Sequence, residues 1–125
     1  MAGSPGSKYY DVFLKFRVWL ETKSGEEVVC SEFFTLMKSI QEHGSIVAAA
    51  EIMNISFRKA WDMVKETEEH LNVKLISRSR GGKSGGKSEL TEDGLKLIEA
   101  YEELQDEVNK AIYQITKKFF GTINN

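Results

Sequence analysis

A run of glycine, lysine and serine has the residue types and the spacing of a phosphate-binding loop. Residues 81–88 read GGKSGGKS, which fits the pattern G-x-x-x-x-G-K-[ST] of nucleotide-hydrolysing enzymes. In such enzymes the backbone N–H groups of the loop cradle phosphates, the lysine reaches the outer phosphates and the hydroxyl binds magnesium. The motif therefore indicates affinity for phosphate. The elements around it indicate whether that phosphate belongs to a nucleotide or to a nucleic-acid backbone.

These flanking elements do not suit nucleotide hydrolysis. A phosphate loop follows a buried strand, opens a helix at its Lys-Ser pair and works with a second strand that ends in an acid. VKLIS can supply the first strand, but helix capping favours a start at Thr91, three residues after Ser88. No run of four apolar residues followed by Asp supplies the acid, and no nucleophile–base set or paired acids stand out. We therefore predict no enzymatic activity and no cofactor.

The same run also suits the tip of a β-hairpin that contacts nucleic acid. Glycines let the backbone approach a sugar-phosphate chain closely, and basic side chains neutralise phosphates and release counterions. Residues 77–88 carry no acid and four basic side chains, which are Arg78, Arg80, Lys83 and Lys87. A solvated loop without a ligand is the remaining alternative, because such tracts also serve as flexible linkers.

Length and composition limit the other classes of function. A chain of 125 residues with 41% hydrophobic and 29% charged residues is typical of one globular domain. No apolar run is long enough to cross a bilayer, and residues 1–11 are interpreted as a flexible arm or a cloning remnant. The single Cys30 fits a reducing cytoplasm, and neither it nor His43 and His70 has metal-ligand spacing. We expect a cytoplasmic protein without a metal.

Hydrophobic periodicity predicts a β-hairpin followed by a first helix. Apolar residues alternate over 12–20, which is typical of a half-buried strand, and TKSGEE then supplies a turn before VVC. We therefore expect a hairpin over about residues 12–30. Ser31 can cap the next helix, and Gly44 can end it by adopting a positive φ. The residues spaced for its inner face are Phe33, Leu36, Met37 and Ile40.

Two further helices have the lengths and the junction of a helix-turn-helix. Ser45 can cap a short alanine-rich helix, and Ser56 can cap a third helix that runs to about Leu71. A short first helix and a corner of three or four residues are typical of this motif. The inner residues of the second helix would be Ile46, Ala49, Ala50 and Met53, and those of the third Phe57, Ala60, Trp61, Val64 and Leu71. The outer face of the third would carry Arg58, Lys59, Asp62, Met63, Lys65 and Glu66, with Asp62 paired to a nearby basic residue.

The end of the chain predicts a return strand and a long helix. SEL can close the basic hairpin, and Thr91 can cap a helix over about residues 92–118. Its apolar seam is longer than one small domain needs, so we expect a partner helix from a second copy. The predicted dimerisation residues are Ile98, Tyr101, Leu104, Val108, Ile112, Ile115 and Phe119.

Together these elements predict an α+β, mainly α fold. It is a winged helix-turn-helix with an N-terminal β-hairpin and a long C-terminal dimerisation helix. Residues 12–91 would form the DNA-binding domain, and residues 92–125 the dimerisation helix and tail. The basic hairpin would be the wing.

Several motifs resemble the N-terminal DNA-binding domain of ModE-type molybdate-responsive regulators. They are GSIVAAA at 44–50, SFRKAWD at 56–62, GGKSGG at 81–86 and LTEDGLKL at 90–97, and the likeness covers about residues 12–105. LysR-type regulators share the winged scaffold and the GS start. The resemblance implies a homodimer on a two-fold-related operator. It carries over DNA binding and not molybdate binding, because the sensor of the family is a separate domain; an oxyanion-sensing partner protein is left open.

Double-stranded DNA is therefore the expected partner, and a membrane is not. The predicted DNA-binding residues are Ser45, Ser56, Phe57, Arg58, Lys59, Arg78, Arg80, Lys83 and Lys87. Helix residues would enter the major groove, and wing residues would contact phosphates. The alternative is a protein-interaction module without DNA binding, because a winged helix can also serve as a scaffold. Its interaction surface would then be residues 99–107, which hold five acids and no base, together with the long apolar seam.

Overall fold

The computed structural model describes residues 8–79 and 86–124, and these form a mainly helical chain with two antiparallel strand pairs. The elements in chain order are β1 Leu20–Glu21, β2 Glu27–Val29, α1 Ser31–His43, α2 Ile46–Met53, α3 Phe57–Leu71, β3 Ile76–Ser79, β4 Lys87–Leu90 and α4 Glu92–Ile123. This order confirms the predicted mainly α fold class with a hairpin on each side of the first three helices.

The chain divides into two compact units. One is Val18–Tyr101, which holds both hairpins, α1 to α3 and the first part of α4. The other combines the described residues up to Arg17 with those from Glu102 onward. The units therefore divide α4, whereas the sequence predicts a boundary at its first residue.

Three of the four predicted helix caps are present. The hydroxyl oxygens of Ser45, Ser56 and Thr91 each accept a hydrogen bond at 3.0 Å from the backbone N–H three residues further on. The prediction for Ser31 was wrong, because Ser31 is already helical and the extended Cys30 precedes it without a side-chain cap bond. A side chain caps the free N–H groups of the first turn from the N-cap position, which Cys30 occupies here, and not from the first helical residue.

The core of the larger unit forms where α1, α2 and α3 meet. The predicted inner face of α1 is buried, and the small side chains of Ala49 and Ala50 are buried on α2, so this helix packs closely. Gly44 ends α1 in the left-handed region at φ 74°, as its position predicts. The buried apolar residues of this core are Val28, Val29, Phe33, Leu36, Met37, Ile40, Ile46, Ala49, Ala50, Ala60, Val64, Leu75, Ile76, Leu90, Ile98 and Tyr101.

The first hairpin is shorter than its alternating sequence predicts. Only Leu20–Glu21 forms a strand on the first side, paired with Glu27–Val29, and Val12 and Phe16 are exposed. The three residues of β2 provide pairing positions for Leu20–Glu21 only. Alternation indicates a surface with two faces, but it does not show that a neighbouring strand is available.

The inner face of α3 also differs from the prediction. Ala60 and Val64 are buried, but Phe57 and Leu71 are exposed, while Met63 packs against the core. Two polar residues, Thr67 and Glu68, are buried in their place. They can be buried because both have backbone partners: the Thr67 hydroxyl donates to the Val28 carbonyl at 3.0 Å, and the Glu68 carboxylate accepts from two N–H groups of the chain that leads into β3.

Candidate nucleic-acid interface

Helices α2 and α3 form a helix-turn-helix with a three-residue corner. Asn54 ends α2 at φ 57°, and the Ile55 N–H donates to the Ala50 carbonyl at 3.0 Å, which turns the chain sharply. Ser56 then caps α3. The first turn of α3 is consequently held at the surface by backbone bonds and by a cap.

The first turn of α3 presents two basic side chains. Arg58 is 84% exposed, and its Nε lies 3.5 Å from Asp62 Oδ1, which confirms the predicted pairing of Asp62 one turn along the helix. Lys59 Nζ lies 3.2 Å from Glu32 Oε1 on α1. Exposed ion pairs contribute on the order of 0–1 kcal/mol, so either cation can exchange its carboxylate for another anion.

The second hairpin is the predicted wing. Strands β3 and β4 pair antiparallel, with Arg78 opposite Ser88 and Ser79 opposite Lys87. Arg78 and Lys87 are both exposed on this hairpin. The other two predicted contacts, Arg80 and Lys83, lie outside the described residues, as does most of the GGKSGGKS run.

The position of the Lys-Ser pair decides against a nucleotide-hydrolysing loop. Lys87 and Ser88 lie in strand β4, and the next helix begins only at Glu92. A phosphate loop of that type opens a helix at its Lys-Ser pair, so that the helix N-terminus faces the phosphates. The motif therefore matches the sequence pattern without its structural context.

A cleft of about 190 Å³ lies between the helix-turn-helix and the wing. Ser45 and Ile46 from the start of α2, Phe57 from the start of α3, and Arg78 and Ser88 from the wing line it. Three predicted DNA-binding residues, Ser45, Phe57 and Arg78, thus share one cleft. An acidic side chain, Glu51, also lines it, and the sequence did not predict this.

Sequence reasoning missed two residues that connect α3 with the wing. The guanidinium carbon of Arg78 lies 4.6 Å from the centre of the Trp61 ring, which is half-buried, and the carboxylate of Glu68 bonds the chain that enters β3. Trp61 was interpreted as a core residue, and it does pack against the core. A Trp and a Glu at i and i+7 on an amphipathic helix share a face, but nothing in that spacing shows what they contact.

Two of the predicted dimerisation residues are buried within the same chain. Ile98 and Tyr101 belong to the core of the larger unit, where the Tyr101 ring lies 5.3 Å from that of Phe34 and its hydroxyl donates to the Val18 carbonyl at 3.0 Å. They are not available to a partner helix, because the first turns of α4 cover this chain's own core. The remaining seam residues are half-buried or exposed: Leu104, Val108, Ile112, Ile115 and Phe119.

Over 8–79 and 86–124, no group of three or more His, Cys, Asp or Glu side chains is placed to hold a metal ion. In the same ranges, no helix has the length and hydropathy of a membrane span.

These features define a winged helix-turn-helix protein, and comparison with known proteins identifies its family. Residues 33–95, about half of the chain, match the family described as bacterial regulatory helix-turn-helix protein, lysR family. The chain belongs to this family. Among solved structures, the CbnR DBD–DNA complex resembles it with a TM-score of 0.56 and 21% identity, over 70% of this chain and 94% of that one. At that identity the likeness concerns the fold alone.

Curated relatives are similar to the first part of the chain and the helix-turn-helix region. The transcriptional regulator ModE of Yersinia pestis is 38% identical over 76 residues, which are 61% of this chain and 29% of that protein. The molybdenum-pterin-binding protein MopB of Rhodobacter capsulatus is 36% identical over 87 residues, 70% of this chain and 32% of that protein. The chain thus spans about three tenths of the length of these relatives. Over the helix-turn-helix region the chain is similar to these relatives.

Proposed function

We propose that the protein is a sequence-specific regulator of ModE type that binds double-stranded DNA as a homodimer. As a regulatory helix-turn-helix protein, it belongs to a class of DNA-binding transcription regulators. In the finer proposal, α3 lies in the major groove and the β3–β4 wing follows the phosphate backbone. The single observation that carries it is the cleft shared by the starts of α2 and α3 and by the wing, which Arg78 lines.

The predicted residues divide into two roles. Arg58 and Lys59 lie on the first turn of α3, where side chains of a recognition helix reach base edges, so they would read sequence. Arg78 and Lys87 on the strands would contact phosphates, together with Arg80 and Lys83 between them. The N-terminus of α2 carries the positive end of a helix dipole, which would place Ser45 and its neighbours against a phosphate. Ser56 and Phe57 would support the entry of α3.

The two roles predict different responses to mutation. Lys87→Ala should weaken binding to all sequences and lower the slope of log K against log salt by about one unit, because one phosphate contact is lost. Adding Lys83→Ala should lower it by about one unit more. Arg58→Ala should instead change which bases are preferred, at a cost of about 1–3 kcal/mol on the cognate site.

Selection of bound duplexes from random oligonucleotides by the purified protein, followed by salt titrations on the selected site, would test this. Lys23→Ala removes the same charge from the turn of the other hairpin and should leave slope and preference unchanged. If the Arg58 and Lys87 variants only scaled affinity equally on every sequence, the placement of α3 in the groove would be wrong. If the unmodified protein bound no duplex even at low salt, the protein-interaction alternative would replace DNA binding.

A further inference from the structure

One aromatic ring lies between the recognition helix and the wing. Trp61 is half-buried on α3, packs against the core, and lies 6.1 Å centre to centre from Phe57 in a stacked arrangement. The Arg78 guanidinium carbon lies 4.6 Å from the centre of its ring, and Lys65 Nζ lies 4.7 Å from it. Both distances are within the limit of about 6 Å for a cation–π contact. The ring thus links the first turn of α3, the middle of α3 and strand β3.

A second link joins the same two elements at the start of the strand. Glu68 is 7% exposed, and its Oε2 accepts hydrogen bonds from the N–H groups of Leu75 at 2.8 Å and Ile76 at 3.2 Å. Lys65 Nζ lies 3.5 Å from Glu68 Oε1, so the same lysine contacts both links. Glu68 binds the first residue of β3, Ile76, and Trp61 contacts the strand at Arg78, two residues further on. Strand β3 is thereby held against α3 at two points.

The contact with the Trp61 ring leaves the Arg78 guanidinium without an anionic partner among the described residues. A guanidinium that lies on an aromatic face makes contact through its plane, and its N–H donors point outward along its edges. Among the described residues, no carboxylate forms an ion pair with Arg78, and the side chain also lines the cleft at the start of α2. A long side chain that would otherwise sample many rotamers is therefore held with its donors available to a phosphate.

We propose that Trp61 is a positioning residue for DNA binding: its ring holds Arg78 so that the wing and the recognition helix grip the duplex as one rigid unit. This inference rests on the proposed DNA binding. It assigns to Trp61 a role that its position on the apolar side of α3 does not indicate. The alternative is a purely structural role, in which Trp61 contributes packing only and Arg78 acts independently of it.

The stack itself can be tested in the free protein. Ring currents of Trp61 should displace the side-chain proton resonances of Arg78 upfield of those of Arg58, which is 84% exposed and serves as an internal reference. In Trp61→Leu, which keeps apolar bulk and removes the ring, the Arg78 resonances should move to Arg58-like positions. Unshifted Arg78 resonances in the unmodified protein would overturn the stack without any reference to DNA.

A double-mutant cycle on duplex DNA tests the use of the stack. Arg78→Gln should weaken binding about tenfold in the unmodified protein, the size expected for one charge-assisted hydrogen-bond contact. In the Trp61→Leu background the same change should cost about threefold or less, because Arg78 is no longer held in place. Trp61→Phe retains a ring and should restore most of the coupling. Val64→Ala removes buried packing from the same helix, and Arg78→Gln should retain its full tenfold effect there.

The outcomes separate the two proposals. Equal costs of Arg78→Gln with and without the Trp61 ring, in a protein that binds DNA, would overturn the positioning role and leave DNA binding intact. A loss of coupling in Val64→Ala as large as in Trp61→Leu would mean that general destabilisation explains the effect. A protein that shows the shifted Arg78 resonances and binds no duplex would overturn the proposed function, and the positioning role would fall with it.

Discussion

At the residue scale, Glu68 shows how a charged side chain can be placed in the interior of a small protein. Burial of a carboxylate is costly unless donors replace the water that it loses. Glu68 has the N–H groups of Leu75 and Ile76 and the ammonium group of Lys65. Leu75 precedes β3 and Ile76 is its first residue, so the Glu68 side chain supplies the acceptor for both N–H groups where the strand begins.

We expect Glu68→Ala to destabilise the fold by on the order of 2–4 kcal/mol, because two buried backbone donors lose their acceptor. Chemical denaturation followed by circular dichroism measures the free energy of unfolding. Glu69→Ala removes the same carboxylate from the exposed side of the same turn and should change it by about 0.5 kcal/mol or less. Equal effects of the two variants would show that Glu68 acts through surface charge alone.

At the element scale, what the sequence predicts well is what local bonds determine. The starts of α2, α3 and α4 can be predicted because a Ser or Thr at each start caps the helix by accepting from the backbone N–H three residues further on. The end of α1 can be predicted because Gly44 accepts a positive φ. The wing follows from two short β-like segments around a glycine run. These signals need no knowledge of distant residues, so one sequence suffices.

The mistakes all depend on partners remote in the sequence. In the part of the chain that the structure describes, residues 12–19 form no strand beside β2. Thr67 and Glu68 are missing from the predicted inner face of α3, because their partners, the Val28 carbonyl and the N–H groups of Leu75 and Ile76, are remote in the sequence. The same limit applies to the predicted DNA-binding site. Residue types indicate Arg78 as a phosphate contact, but its cation–π contact with Trp61 joins positions 17 apart, which no local pattern specifies.

The junction between α4 and β3 explains the glycine of the LTEDG motif. The Thr91 hydroxyl donates to the Lys74 carbonyl at 2.6 Å, and the Thr91 N–H donates to the Leu75 carbonyl at 2.9 Å. These bonds bring the first turn of α4 onto the backbone at the start of the wing. A Cβ on Gly94 would lie 2.3 Å from the Leu75 carbonyl oxygen, so no side chain fits there.

Gly94→Ala should therefore destabilise the protein by about 1–3 kcal/mol, the usual cost of overpacking, because the clash is with rigid backbone. Gly121→Ala on the same helix is the matched control, since a Cβ there meets nothing within 4 Å. Alanine favours helix by up to about 1 kcal/mol over glycine, so the control should be neutral or stabilising. Thermal unfolding of both variants measures the difference, and a stabilised Gly94→Ala would contradict the close approach.

At the scale of the whole molecule, basic and acidic residues are concentrated in different segments of the chain. The net charge is −2, yet residues 77–88 carry four bases and no acid, and residues 99–107 carry five acids and no base. Acids on α4 would repel a duplex and favour an approach through α3 and the wing. Further along α4, the apolar side chains of Tyr113, Ile115 and Phe119 are exposed. If Ile115 and Phe119 meet a second copy, two recognition helices are joined, and a two-fold-related site becomes the expected target.

Ile115 and Phe119 are the sharpest test of that assembly. They are 55% and 53% exposed and lie one helical turn apart, so they form one apolar face. Changing both to Ser should convert a dimer to a monomer in sedimentation equilibrium, since the apolar area that drives association is removed. The same double variant should bind a two-fold-related site no better than a single half-site, because the second half is no longer tethered. Tyr113→Ser removes an equally exposed ring, 49%, from a different face of α4, and it should leave both measurements unchanged. If the unmodified protein sedimented as a monomer at every concentration, the proposal that the apolar seam of α4 joins two copies would be wrong.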